Sequence, residues 1–494
     1  MDVQLKGIHA LFDTSADALV IGLYEDGQND NVLRQLSEKM KQDLSSFFEE
    51  QELGTYASLT SLFTFGSVPM KQVVFLGLGR KEEQSFDRLR KATGRLVRKL
   101  KTESITDIAF YSAHTDQVSS KRFGQAITEA FYLSNYEYKE FFKQDESEAR
   151  KQLYLFVDDP DNEELQQGLA LGKAIGESTV YARNLMNAPA NYLTPVALKD
   201  EIVKMAGKYG LETNVLNQSQ LEELKMGGIL GVAQGSVLKP YVVTVKYEGN
   251  PLSDEVLGLI GKGVTFDTGG ISLKAKPGLE LLKKDMGGSA SMIGVMETIA
   301  KLKPKVNLLL VVGCVENMPS GSAYKPGDVV TMMDGKTVEI ISTDAEGRLV
   351  LGDCITYAKS LGVTSLIDCA TLTGAVRVAL GYIAAGVMGN KQEMIDKLLA
   401  SAKEGGEKAW QLPLYDEYFD PLKSQVAYMK NSGAKFGGAS VAGKFIEQFV
   451  GDTPWIHLDI SSSGYTHEAN DLGPVGATGS MISTVTHYVL NHQA

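Results

Sequence analysis

The chain has 494 residues, with 61 acidic against 49 basic for a net charge of −12. Apolar residues make up 43% and charged residues 22%, proportions of a globular chain that exclude a disordered segment or a small disulfide scaffold. The acidic excess argues against a protein built mainly to bind nucleic acid, and no apolar run reaches the roughly 18 residues of a membrane span.

The opening residues Met1-Asp2-Val3-Gln4-Leu5-Lys6 lack the basic and apolar regions of a secretory signal, which points to the cytoplasm. In the first third, Ala18–Leu23 and Gln72–Gly79 read as buried strands, and Arg88–Lys101 and Lys121–Phe131 as helices. Leu153–Val157 is a further strand, ending in the acidic turn Asp158-Asp159-Pro160-Asp161-Asn162. A domain boundary is therefore expected near residue 165, with an N-terminal α/β domain over 1–165 and a catalytic domain over 166–494. A helix over Glu163–Asn187 follows. The basic run Arg88, Arg90, Lys91, Arg95, Arg98, Lys99 and Lys101 reads as a solvated helix face rather than a nucleic-acid patch. Gly77-Leu78-Gly79 starts like a dinucleotide fingerprint but lacks its third glycine.

Beyond the boundary, strands are expected at Val256–Gly261, Asn307–Val315, Val338–Ile341, Ser365–Cys369 and Trp455–Ile460. Helices are expected between them at Ser289–Leu302, Leu349–Ser360, Met394–Lys403 and Val441–Val450. Near-continuous apolar strands alternating with helices predict an α/β fold with a largely parallel central sheet. Cys314, Cys354 and Cys369 lie far apart without CxxC spacing and read as buried reduced thiols. The histidines form no HExxH pair, and His457, between Ile456 and Leu458, reads as a core residue.

In such sheets ligands bind beyond the carboxyl ends of the strands, and charge is dense there. Lys262, Asp267 and Lys274 follow one strand, and Asp285 precedes the next helix. Asp344, Glu346 and Arg348 follow another strand, and Thr371, Leu372, Thr373 and Gly374 a third. Converging carboxylates repel unless cations neutralise them; two divalent metals about 3.5–4 Å apart would do so. The two-residue spacing of Asp344 and Glu346 points both side chains the same way if the segment is extended. Singly, each of these residues also reads as a turn, a helix cap or a solvated charge.

Ser342-Thr343-Asp344-Ala345-Glu346-Gly347-Arg348-Leu349 resembles the signature of the cytosolic leucyl aminopeptidase family. Gly261–Gly270, Lys284–Gly288, Ala182–Leu185, Glu316–Pro319, Ala370–Gly374 and Gly476–Gly479 resemble its other motifs, in the same order. The resemblance covers most of 165–490. It implies two divalent ions per chain, manganese or zinc, with cobalt or magnesium also able to serve. Asp267 and Glu346 would bridge them, Lys262 and Asp285 would complete one site and Asp344 the other. Lys274 and Arg348 would be catalytic, with Lys274 and a backbone N–H near Leu372 donating to the developing oxyanion. Arg348 would hold a bicarbonate as general base. Leu282, Thr371, Leu372 and Gly374 would bind substrate, a short peptide losing leucine or another first residue, or Cys-Gly. A cytoplasmic homohexamer is implied as well. Two positions depart from the family pattern, Ser342 for asparagine and Leu282 for methionine, and both bear on substrate preference. A phosphoesterase with two metals and a DNA-binding protein on a peptidase fold are the rival readings.

Overall fold

The computed structural model describes residues 1–25, 31–42, 44, 47, 53–112, 116–142, 151–275, 277–433 and 435–492. Contacts between Cα atoms divide it into two compact units: Met1–Val180 with Glu468–Val475, and Tyr181–His467 with Gly476–Ala494. The division falls inside the helix Glu163–Asn187. Glu468–Val475 is distant in sequence from the rest of the first unit, and the Asp471 carbonyl accepts a hydrogen bond from Ser134 Oγ at 3.0 Å.

The first unit holds a six-stranded sheet in the order Asp2–Gly7, Gln152–Val157, Asp107–Ser112, Ala18–Leu23, Gln72–Gly77, Leu59–Phe63. Every pairing is parallel except the last. Ala18–Leu23 and Gln72–Gly77 are buried along their whole length, as unbroken apolar runs require. The basic helix spans Phe86–Thr102 and buries Leu89, Leu96, Val97 and Leu100. Its basic face is not uniformly solvated. Arg90 is buried and paired with Glu129, and Lys91 and Lys99 are paired with Asp87 and Glu103.

The second unit is built on an eight-stranded sheet. Its order is Ala409–Gln411, Ala385–Gly389, Trp455–Asp459, Ser365–Ala370, Leu257–Asp267, Asn307–Asn317, Tyr241–Glu248, Glu212–Leu216. The four central strands are parallel. Side chains alternate between two cores with the period of a strand. Leu259, Val312 and Ile367 enter one, with Met292, Ile293 and Met296 of helix Gly287–Leu302. Ile260, Val311 and Leu366 enter the other, with Leu349 and Phe445 from helices Gly347–Ser360 and Gly438–Val450. This is a two-domain α/β fold whose second unit has a largely parallel sheet. No helix among the described residues is long and apolar enough to cross a membrane. Cys314, Cys354 and Cys369 are buried free thiols.

Two sequence expectations need correction. The strand expected to end at Gly261 runs on to Asp267, so Lys262 and Asp267 lie within it. The strand expected at Val338–Ile341 is Thr337–Glu339, in a separate small sheet between Val329–Thr331 and Met429–Lys430. Val338 and Ile340 are buried, as their alternation implies. The Asp334-Gly335 turn, with Gly335 at φ 87°, folds the segment back antiparallel on Val329–Thr331 as a hairpin rather than sending it into the central sheet.

Candidate metal centre

Lys262 and Asp267 are five residues apart, so a regular strand would point them to opposite faces. The register with the neighbouring strand shifts between Val264↔Val315 and Asp267↔Asn317, three steps against two. Such a bulge reverses the facing of everything after it, and Asp267 joins Lys262 on one side. Asn317 then fixes Asp267, its Nδ2 donating to Oδ1 at 2.8 Å, with Gly269 N donating to the same oxygen at 2.9 Å.

The other acids arrive on turns. Asp285 lies on the 3-10 turn Leu279–Met286. Its Oδ2 is 2.7 Å from Lys262 Nζ, and Thr371 Oγ1 donates to its Oδ1 at 2.9 Å. Asp344 and Glu346 lie in a turn, not the extended segment their spacing suggested. Among the hydrogen bonds that hold that turn, Asn317 Nδ2 and Tyr324 Oη donate to Thr343 O at 2.9 and 3.0 Å, and Asn431 Nδ2 to Ser342 O at 2.6 Å. Asn317, Tyr324 and Asn431 thus position the site, and sequence reading gave them no such role.

Asp267, Asp344 and Glu346 each offer an oxygen within 4.8 Å of the others. Lys262 Nζ lies 2.9 Å from Glu346 and donates to Thr371 O at 3.1 Å. Lys274 Nζ is 2.7 Å from Asp267 and also pairs with Asp344. Lys262 is only 2% exposed, so it is not a solvated lysine. Glu346 stands at the cap position of helix Gly347–Ser360 without capping it, and its Oε2 is buried with no hydrogen-bond partner.

Burial opposes every charge here. It pushes Asp285 up to about 8 and, with repulsion from Glu346, raises Asp267. Burial also works against the Glu346 carboxylate, but Lys262 and Lys274 outweigh it and hold that group below its usual range. Lys262 is held above its ordinary value because Asp285, Glu346 and Asp267 overcome its burial. Burial lowers Arg348 to about 10; one edge of its guanidinium donates to Asn431 O at 2.7 Å, and its Nε has no partner.

Lys262, Asp267, Lys274, Asp285, Asp344, Glu346 and Arg348, with Leu282, Thr371, Leu372 and Gly374, line one cavity of about 910 Å³. The Leu372 N–H is engaged by a side chain of the adjacent strand. It donates to Asp459 Oδ1 at 3.2 Å, while Thr373 N and Oγ1 donate to Asp459 Oδ2 at 3.1 and 2.6 Å. Asp459 ends the adjacent strand and gathers the donors of the Thr371–Thr373 exit, a role with no local sequence signal. His457 is fully buried against Asp368, Nδ1 to Oδ1 2.6 Å, as a core histidine. A different histidine, His467, lines the cavity.

Gly347 shows why the turn ends in glycine. A Cβ there would sit 2.4 Å from Lys262 Cε and 2.6 Å from its Nζ. Gly347→Ala is expected to displace the lysine from Asp285 and Glu346. The variant should lose at least about tenfold in kcat/KM and about 1–3 kcal/mol of stability by overpacking. Kinetics and denaturant midpoints check this; unmodified values for both would contradict it.

A buried carboxylate–lysine cluster at the carboxyl end of a parallel sheet is suited to divalent metal ions. Residues 180–486 match the profile of the cytosol aminopeptidase family, catalytic domain, and residues 20–145 that of the family's N-terminal domain. The chain belongs to the cytosol aminopeptidase family. It is 40% identical over 483 residues to a "Probable cytosol aminopeptidase" of Alkaliphilus oremlandii (strain OhILAs), covering 96% of each chain. It is 38% identical over 479 residues to that of Alkaliphilus metalliredigens (strain QYMF), covering 95% of each. Its fold matches a mutant of tomato leucine aminopeptidase with TM-score 0.89 and 30% identity, covering 100% of this chain and 97% of that one. The bottromycin maturation enzyme BotP in complex with Mn matches with TM-score 0.85 and 28% identity, covering 97% and 100%.

Proposed function

We propose that the chain hydrolyses the first peptide bond of short peptides with a free α-amino group, releasing leucine or another first residue, with Cys-Gly among its substrates. The carrying observation is the convergence of Asp267, Asp344 and Glu346 within 4.8 Å, beside the unpartnered buried Oε2 of Glu346. Such a donor set, rich in oxygen, suits manganese, zinc, cobalt or magnesium. The Mn complex of the BotP neighbour supports manganese. Two ions would be held here: Asp267 and Glu346 would serve both, Asp285 and Lys262, once a cation has displaced its proton, would complete one, and Asp344 the other. Bound there, the ions supply a Lewis acid for the scissile carbonyl and lower the pKa of water.

The chain supplies the rest. Lys274, its side chain 27% exposed at the cavity, donates to the carbonyl oxygen as negative charge grows on it. Arg348 keeps its orientation through Asn431 and offers its remaining donors to a small planar anion. Arg348 would there hold a bicarbonate, which supplies a general base when bound. Leu282, Thr371, Leu372 and Gly374 receive the first side chain. Cytoplasmic residence and a homohexamer are the parts of this reading supported by family membership alone.

With manganese added, Leu-p-nitroanilide should be cleaved, its N-acetylated form should not, and p-nitrophenyl phosphate should survive. Turnover of the phosphate without the anilide would establish the phosphoesterase reading instead.

A further inference from the structure

We infer that Lys284 and Arg377 form a carboxylate-binding subsite beside the metal cluster, so that preferred substrates carry a carboxylate close to the scissile bond. The inference rests on the aminopeptidase reading and names a substrate class within it.

Both side chains line the cavity. The carboxylates that line it are Asp267, Asp285, Asp344 and Glu346, and all are ion-paired with Lys262 or Lys274. Lys284 and Arg377 form no ion pair among the described residues. Neither belongs to the proposed ligand set or to the catalytic pair. Arg377 repels Lys284 across the cavity, and Asp285, the acid that attracts Lys284, is already paired with Lys262.

Their placement is structural. Lys284 is carried by the 3-10 turn Leu279–Met286, and its Nζ lies 4.8 Å from the centroid of Tyr465. Arg377 stands one turn into helix Gly374–Leu380, directly after the exit of strand Ser365–Ala370. Its side chain folds back over the start of the helix, Nη2 lying 3.5 Å from where a Cβ on Gly374 would be. Aromatic rings share the cavity wall with the two cations. His467 lies 5.0 Å from Tyr382 and 5.3 Å from Tyr465, between ring centroids, and all three line the cavity. Holding two like charges in a partly enclosed cavity is unfavourable until an anion joins them. A guanidinium fork with an ammonium nearby is suited to a carboxylate. That carboxylate has two sources: the side chain of an N-terminal Asp or Glu, or the C-terminus of a dipeptide.

The test uses the full chain loaded with manganese and two substrate pairs. Glu- and Gln-p-nitroanilide differ only in a side-chain carboxylate, and Leu-Gly and Leu-Gly-amide only in a terminal one. At least one carboxylate member should be preferred over its neutral partner, and the pair that shows it identifies the source. In R377Q and K284Q this preference should fall about tenfold or more, through KM. R377K should retain most of it. Arg377 is exposed, so R377Q keeps the test valid if K284Q, beside Asp285, fails to fold or to hold metal. No preference in either pair, or a preference unchanged in R377Q, overturns the subsite and leaves the aminopeptidase reading intact. Cleavage of none of the four overturns both.

Discussion

Lys274→Ala is expected to lower kcat by about 10²–10³-fold, the loss seen when a donor to a developing oxyanion is removed, without lowering metal content. The structure separates these two effects. Lys274 Nζ pairs with Asp267 and Asp344, two of the three acids that converge on one another. An ammonium there competes with a divalent ion for the same oxygens, so its removal should leave metal affinity unchanged or raise it. Asp267 also keeps its hydrogen bonds from Asn317 and Gly269, so the ligand itself stays in place. Lys262 is the contrasting case. It is buried and bridges Asp285 and Glu346, and its loss leaves two buried carboxylates without their cation. Lys262→Ala should therefore lose both metal and activity. Elemental analysis alongside steady-state kinetics distinguishes the two. Turnover of Lys274→Ala within threefold of the unmodified chain would remove it from the chemistry.

Why these residues meet was only partly legible in the sequence. Where the local pattern was strong, it specified the element. The helix Glu163–Asn187 has the expected bounds, and Gly287–Leu302 begins two residues from its expected start. The apolar runs Ala18–Leu23 and Ser365–Cys369 are strands, the latter one residue longer than expected. The failures are all effects of tertiary pairing. A bulge opposite Val315–Asn317 cannot be read from one strand, yet it brings Asp267 round to Lys262. The hairpin at Asp334-Gly335 has a visible turn signal, but the burial of Val338 and Ile340 imitates a strand of the central sheet. Asp344 and Glu346 converge although their segment is a turn. Asn317, Tyr324 and Asn431 hold that turn, and their hydrogen bonds span 19 to 89 residues of chain. Asp459 claims the Leu372 N–H from 87 residues away. The acids and lysines were visible because charge interrupts apolar strand ends. Their neutral supports were not, because an asparagine or tyrosine at those positions is unremarkable until its partner is known.

Removal of divalent metal is expected to abolish peptide hydrolysis and lower the thermal midpoint while leaving the chain folded. An ion at a hundredfold its dissociation constant stabilises the native state by about 2.7 kcal/mol per site. At about 2–4 °C per kcal/mol for a large domain, one site is worth about 5–10 °C. The fold should survive because the chain carries its own partial neutralisation. Asp285 and Glu346 face Lys262 at 2.7 and 2.9 Å, and Asp267 faces Lys274 at 2.7 Å. The cluster also lies at strand ends, while the two cores on either side of the sheet are apolar and need no ion. Exhaustive chelation, followed by calorimetry and by addition of manganese, zinc, cobalt or magnesium one at a time, tests each part. Manganese or zinc should restore both the midpoint and the turnover. Loss of the cooperative transition on chelation would make the ions part of the fold rather than of the site. Undiminished hydrolysis in the metal-free chain would mean that the four acids are held together for some purpose other than binding ions.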